Sequence, residues 1–183
     1  MKAEIISIGT ELLLGEIVDT NTPFLASQLA VLGIDLYYTS GVGDNPTRLH
    51  GVLKQAWDRS DIVFTTGGLG PTQDDLTRDA IAALLGEELR VDPELKQNLV
   101  NFFARRGLEM PASNVRQATL IPSSTALLNP QGTAPGWPSS PRAVAEISRT
   151  RVLGSFSRIA HSRGEACCAS SFLRLSTANH RTF

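Results

Sequence analysis

The residues best suited to chemistry lie in one stretch, Thr65-Thr66-Gly67-Gly68-Leu69-Gly70-Pro71-Thr72-Gln73-Asp74-Asp75. Gly67, Gly68 and Gly70 carry no Cβ, so the backbone there can take positive φ and come close to a ligand. The stretch runs into a helical pattern over 74–85, whose free N–H groups and positive dipole end favour an anion. Hydroxyls at Thr65, Thr66 and Thr72 can donate to phosphate oxygens. The tandem acids Asp74 and Asp75 could hold a divalent cation such as Mg²⁺, which would neutralise a phosphate in turn. Together these residues suit a phosphorylated small molecule handled with a metal. A second reading stands beside the first. Asp75 follows Thr72 by three residues, the spacing of a capping box, and could serve only the N–H groups of a helix start.

Other candidates carry weaker signals. Glu11 follows the first apolar run at Gly9-Thr10, where a carboxylate could face the same crevice or simply be a solvated loop acid. Asn21 reads as a helix cap. Asp79 sits one turn after Asp75, and Arg78 offers it a salt bridge. Tyr37, Tyr38 and Trp57 read as packing residues. No Gly-x-x-x-x-Gly-Lys-[Ser/Thr], Gly-x-Ser-x-Gly or His-Glu-x-x-His motif is present, and Gly68-Leu69-Gly70 reaches Gln73 where a dinucleotide fingerprint needs glycine. His50 is the only histidine before residue 138. Carboxylate and metal chemistry is therefore more economical than histidine catalysis.

The elements that must position these residues alternate. Ala3–Ile8 is a compact apolar run, expected as a buried strand. A helix with Phe24, Leu25, Leu29 and Leu32 follows, stopped at Gly33. Ile34–Val42 is the second strand. Asn45-Pro46 then opens a helix through Leu49, Val52, Leu53, Ala56 and Trp57. Asp61–Thr66 is the third strand, and Asp74–Leu85 a helix closed by Gly86. Asp92-Pro93 opens a last helix to about Arg106. Strand and helix alternating in this way imply parallel strands joined by right-handed crossovers, hence an α/β fold with helices on both sheet faces. Ligands in such sheets bind outside the carboxyl ends of the strands, which is where Gly9–Glu11, Gly41–Asp44 and the 65–75 stretch fall.

Composition divides the chain near Trp137. Of 183 residues, 42% are hydrophobic and 19% charged, as in an ordinary globular domain. The net charge of −1 argues against a nucleic-acid binder, no apolar run is long enough to span a membrane, and the start lacks the form of a signal peptide. The adjacent Cys167-Cys168 offers neither a disulfide framework nor metal-ligand spacing, so the expected compartment is the cytoplasm. Residues 1–137 hold 10 Lys+Arg against 16 Asp+Glu, whereas 138–183 hold seven arginines, no lysine, two acids and nine serines. The expectation is a domain over 1–137. Residues 138–183 would be either a flexible basic extension or an aberrant tail, translated out of frame or never selected to fold. Short strands at Arg151-Val152-Leu153 and Ser170–Leu173 are the only regular pieces it suggests.

Four segments carry a resemblance: Ile8-Gly9-Thr10-Glu11-Leu12-Leu13-Leu14-Gly15, Asp19-Thr20-Asn21, the run from Thr65 through Asp75 to Leu76-Thr77, and Gly132-Thr133-Ala134-Pro135-Gly136. In order over residues 1–137, they resemble the N-terminal domain of the competence/damage-inducible CinA family. That domain is similar to the molybdopterin-binding domains of molybdenum-cofactor biosynthesis proteins. The resemblance implies a three-layer α/β/α sandwich with a mostly parallel sheet. It implies that Asp75 is the functional acid, that Gly67, Gly68 and Gly70 contact a phosphate, and that Glu11 and Asn21 border the pocket. Members bind molybdopterin or nucleotide phosphates, and the CinA-type domain is linked to metal-dependent hydrolysis of the ADP-ribose pyrophosphate bond. Asp74 and Asp75 would then hold the metal near the ligand. The family's second domain, a nicotinamide-nucleotide amidase, has no room in this chain. Its Pro-Gly-Pro-Pro-like loop is also not matched by Pro138-Ser139-Ser140-Pro141-Arg142. An incomplete sheet edge would encourage a homo-oligomer.

Overall fold

The computed structural model describes residues 1–127, 129 and 133–139, together with the backbone of 152–156. β1 (Lys2–Ile8) lies between two parallel neighbours, β2 (Asp35–Val42) and β3 (Ile62–Thr66). Five strands form the main sheet in the order β2-β1-β3-β7-β6, where β6 is Trp137–Ser139 and β7 is Val152–Phe156. β7 runs parallel to β3 and antiparallel to β6.

Helices cover both faces, as an interior parallel strand with two apolar sides requires. A single turn, α1 (Thr10–Leu13), follows β1, and on one face α2 (Asn21–Val31) sets Leu25 and Leu29 against Ala3, Ile5, Ile62 and Phe64. On the other, α3 (Pro46–Arg59) and α4 (Thr77–Leu85) set Leu49, Leu53, Ala56, Ile81 and Ala82 against Ile6, Ile8 and Val63. Neighbouring residues of β1 thus enter different cores, the period-two alternation of a strand. The three-layer α/β sandwich expected from the sequence is present.

Local sequence explains most boundaries. Asn45 accepts from the Arg48 N–H at 3.0 Å and Asp92 from the Leu95 N–H at 2.8 Å, each ahead of a proline in the first turn. The second of these opens α5 (Pro93–Ala104), which packs on a 3₁₀ segment, Ala112–Ala118. A short ribbon of β4 (Arg90–Val91) and β5 (Thr119–Leu120) flanks them. Two exposed aromatics, Tyr37 and Tyr38, lie on the edge strand β2, and the Arg59 guanidinium stacks 3.7 Å from the Tyr38 ring.

Three expectations need correction. The helix expected from Asp74 begins only at Thr77, because the preceding residues close a loop on themselves. Asn21 does not cap α2. Asp19 does so instead, its Oδ1 accepting from the N–H groups of Asn21 and Thr22, both at 3.0 Å. Domain structure also continues past residue 137: β7 fills the sheet position beside β3, so residues 152–156 belong to the domain. The short strand expected at Arg151-Val152-Leu153 falls at the start of β7, where Val152 and Leu153 pair with Ile62 and Val63. The remaining parts of the expected tail, 140–151 and 157–183, lie outside the described residues, as does the expected strand at Ser170–Leu173.

Candidate functional site

Because β1, β2 and β3 are parallel, their carboxyl ends deliver three loops to one side of the sheet. After β1, the Thr10 N–H donates to Asp44 Oδ2 at 2.8 Å and the Asp44 N–H returns a bond to Thr10 Oγ1 at 3.1 Å. This reciprocal pair locks the loops after β1 and β2 together. The Glu11 carboxylate lies over Gly9, where a Cβ would fall 2.6 Å from Glu11 Oε1. Asn21 donates to Thr66 Oγ1 at 2.6 Å, joining α2 to the last residue of β3.

The loop from Gly67 to Leu76 is shaped by contacts within the chain. Gly67 has φ +94°, and a Cβ there would lie 1.9 Å from the Ile8 carbonyl oxygen. No other residue fits at that crossing of two backbones. The Thr77 hydroxyl donates to the Gly67 carbonyl at 2.8 Å and occupies the space a side chain at Gly68 would need. Beside Gly70 stands the Asp75 carboxylate. Its Oδ1 accepts from the Gly70 N–H at 2.7 Å, and its Oδ2 from the Thr72 N–H at 2.8 Å and the Thr72 hydroxyl at 2.5 Å. Asp75 therefore holds the loop closed on itself, the reciprocal half of a capping box formed ahead of the helix.

Residues that the sequence did not connect with the loop support it from behind. Arg78 is wholly buried and donates to the carbonyls of Leu69 at 3.2 Å and Gly70 at 2.8 Å. Burial draws its pKa down to about 10, with Arg116 pushing the same way and Asp79 and Asp75 opposing. It does not pair with Asp79, as the sequence suggested. Asp79 pairs with Arg116, which also donates to the Asp75 carbonyl at 3.2 Å. Gln117 donates to the Leu69 carbonyl at 3.5 Å, and its own side-chain oxygen accepts from Asn114 at 2.9 Å. All three of these residues come from the 3₁₀ segment, whose sequence has no helical periodicity to announce it. A second missed cluster underlies Asn21. Asp19 Oδ2 accepts from the hydroxyls of Ser7 and Thr22, both at 2.6 Å, and these bonds outweigh burial to hold its pKa below the ordinary 3.8.

A cleft of about 450 Å³ opens beside this loop between the first turns of α3 and α4. Pro46, Thr47 and His50 form one wall, and Leu76, Asp79, Ala80 and Ala83 the other. Its lining is mostly apolar and includes an imidazole and a carboxylate, the mixed lining of a small-molecule site. The expected divalent metal finds a poor donor set. Asp74 is exposed in the turn, both oxygens of Asp75 are committed to the loop, and no cluster of three His, Cys, Asp or Glu able to hold a metal occurs among the described residues. The residues present do not form a ready-made cation site.

Of the expected site residues, the structure gathers Gly70, Thr72 and Asp75 into one hydrogen-bonded unit and Asn21 with Thr66 into another. Gly67 and Gly68 connect the two. Glu11 borders the same edge above Gly9, and Asp74 stands apart from both units on the solvent side.

A family model described as a probable molybdopterin binding domain matches residues 4–154. The chain belongs to that family. The match extends through most of β7, in accord with the sheet. A CinA-like protein from Thermomicrobium roseum is 53% identical over 137 residues, which cover 75% of this chain and 34% of that protein. One from Deinococcus radiodurans is 47% identical over 167 residues, covering 82% of this chain and 41% of the other. The chain spans about a third of the length of the curated relatives it matches first. Among solved structures, the protein CinA from Thermoplasma acidophilum superposes with a TM-score of 0.76 at 24% identity, over 97% of this chain and 96% of that one. A tungsten cofactor synthesizing protein MoaB from Pyrococcus furiosus gives 0.56 at 18% identity, over 98% and 92%. These two share the family's α/β fold. No helix among the described residues is long and apolar enough to cross a membrane.

Proposed function

We propose that this chain binds a phosphorylated small molecule, molybdopterin or a nucleotide such as ADP-ribose, at the carboxyl edge of its sheet. The observation that carries this reading is the cleft of about 450 Å³ between α3 and α4, which is continuous in sequence with the glycine loop through Leu76 and Asp79. Leu76, Ala80 and Ala83 offer apolar contact to a flat ring, and Thr47, His50 and Asp79 supply polar groups to the same cleft. The loop of Gly67–Asp75 lies where the phosphate end would project. The family supports the ligand class.

Titration calorimetry tests it with AMP, ADP-ribose and molybdopterin in turn, each with and without Mg²⁺. One saturable site for at least one of them, weakened by Ala80→Trp in the cleft, is the expected result. Failure of all three to bind removes the reading. The hydrolysis of a diphosphate that the resemblance implies is a separate step at the same place. Chromatography of the ADP-ribose mixtures for AMP reads it directly, and a dependence of that product on Mg²⁺ would establish the role of a metal.

A further inference from the structure

We infer that Arg78 is the positioning residue of the glycine loop: it fixes the Leu69–Gly70 peptide from behind, so that the Gly70 N–H in front is held on the Asp75 carboxylate and the loop keeps one shape. That this shape serves a ligand's phosphate rests on the function proposed above.

A peptide unit is planar and trans, so its C=O and N–H point in opposite directions. The Leu69 carbonyl accepts from Arg78 Nη1 at 3.2 Å, and across the same peptide the Gly70 N–H donates to Asp75 Oδ1 at 2.7 Å. The plane is therefore gripped on both edges. Arg78 Nη2 takes the next carbonyl, Gly70, at 2.8 Å, so one guanidinium spans two successive peptides. The planar guanidinium does this from two nitrogens in fixed geometry, whereas a lysine ammonium would have to reach both carbonyls from one nitrogen on a flexible stem. Pro71 follows and has no N–H of its own to lose.

The cost of placing this cation indicates a purpose beyond packing. Arg78 has no solvent exposure, its Nε has no hydrogen-bond partner among the described residues, and it accepts the company of a second guanidinium, Arg116. An apolar side chain of similar volume would fill the space without a desolvation penalty. What an apolar residue cannot supply is positive potential directly behind a loop whose front N–H groups face a carboxylate. Oriented amides backed by a cation make an anion-binding concavity. Asp75 occupies it within the chain.

The test uses the full chain, its Arg78→Lys and Arg78→Met variants, and ADP-ribose, AMP and molybdopterin as probes. Amide NMR reads the Gly70 and Thr72 protons. In the wild type both should be shifted downfield and protected from exchange. Either substitution should speed exchange at Gly70 at least about tenfold and weaken probe binding at least about tenfold, while thermal unfolding stays cooperative. Lysine keeps the charge without the fork, so it should recover part of the affinity but not the Gly70 protection. Full recovery of both by lysine overturns the assignment, and so does an unchanged Gly70 proton in Arg78→Met. If neither variant folds, Gln117→Leu, which removes the second donor to Leu69 together with the acceptor of the Asn114 amide, must still perturb Gly70. A silent Gly70 there, or an unprotected Gly70 in the wild type, also overturns it. If no probe binds the wild type while Gly70 responds as described, the proposed function fails and the positioning role stands.

Discussion

Asn21 and Thr66 meet at 2.6 Å, the side-chain amide at the start of α2 donating to the hydroxyl that ends β3. The bond ties the layer on one face of the sheet to the residue from which the glycine loop departs. Below it, Asp19 binds the hydroxyls of Ser7 and Thr22, so the entry of α2 is secured to both β1 and β3.

Removing both partners should therefore be less damaging than the sum of the single changes. A double-mutant cycle with Asn21→Ala and Thr66→Val should give a coupling of about 0.5–1.5 kcal/mol by urea unfolding, the usual net worth of such a bond. Zero coupling would mean that the two side chains do not support one another in solution.

Asp75→Asn keeps the shape of the side chain and changes one acceptor into a donor. That NH₂ must then face either the Gly70 N–H or the Thr72 N–H and hydroxyl, which leaves donor against donor. The mismatch should cost about 1–3 kcal/mol of stability. Nucleotide affinity should fall about tenfold or more as the loop opens. Urea midpoints and calorimetry measure the two effects separately, and a variant matching the wild type in both would show that the carboxylate has no part in the loop.

How much of this was legible in the sequence depended on whether the signal was local. Asn45 and Asp92, each before a proline, announced two helix starts correctly because a cap needs only its next few residues. The run Thr72-Gln73-Asp74-Asp75 has the same local appearance, yet there the carboxylate turns back to Gly70, five residues earlier, and delays the helix to Thr77. Arg78 reads as an exposed partner for Asp79 because nothing nearby in sequence predicts that the loop and the segment 112–118 will enclose it. β7 was legible as a short strand at Val152-Leu153, but not as part of the domain. Its place in the sheet is defined by the ladder it shares with β3 across some ninety residues, a non-local pairing with little trace in composition.

The same distinction governs Glu4, an acid inside the apolar first strand. It is fully buried and receives Arg59 Nε at 2.9 Å and Nη2 at 2.6 Å, with Ser60 Oγ at 3.1 Å. That bonding holds the Arg59 guanidinium above its usual range, and its other face rests on Tyr38. The two halves of the pair are unequal, since Arg59 reaches solvent and Glu4 does not. Arg59→Met strands a buried carboxylate and should cost about 3–5 kcal/mol. Glu4→Gln leaves a cation that can turn to water and should cost less, about 1–2 kcal/mol. Chemical denaturation of the two variants checks the order, and a larger loss for Glu4→Gln would contradict it.

Acid stability provides the last prediction, through Asp19. Burial alone would raise its pKa, but hydrogen bonds from Ser7, Thr22 and the N–H groups of Thr22 and Asn21 favour the charged form and bring it below 3.8. A carboxyl with a lower pKa folded than unfolded binds fewer protons in the native state. Its contribution is therefore complete above the unfolded pKa and is lost as the pH falls through the folded one. The wild type should lose melting temperature more steeply than Asp19→Asn as the pH falls below about 4, because the variant's side chain does not titrate there. At pH 7 the order is the reverse of a neutral change. Asp19→Asn should melt lower than the wild type, because an amide is a weaker acceptor for the start of α2, with a loss near the ~1 kcal/mol of a helix cap. The two curves must converge on acidification. Parallel curves from pH 7 to pH 3 would show that Asp19 carries no more of the acid sensitivity than any solvated carboxylate.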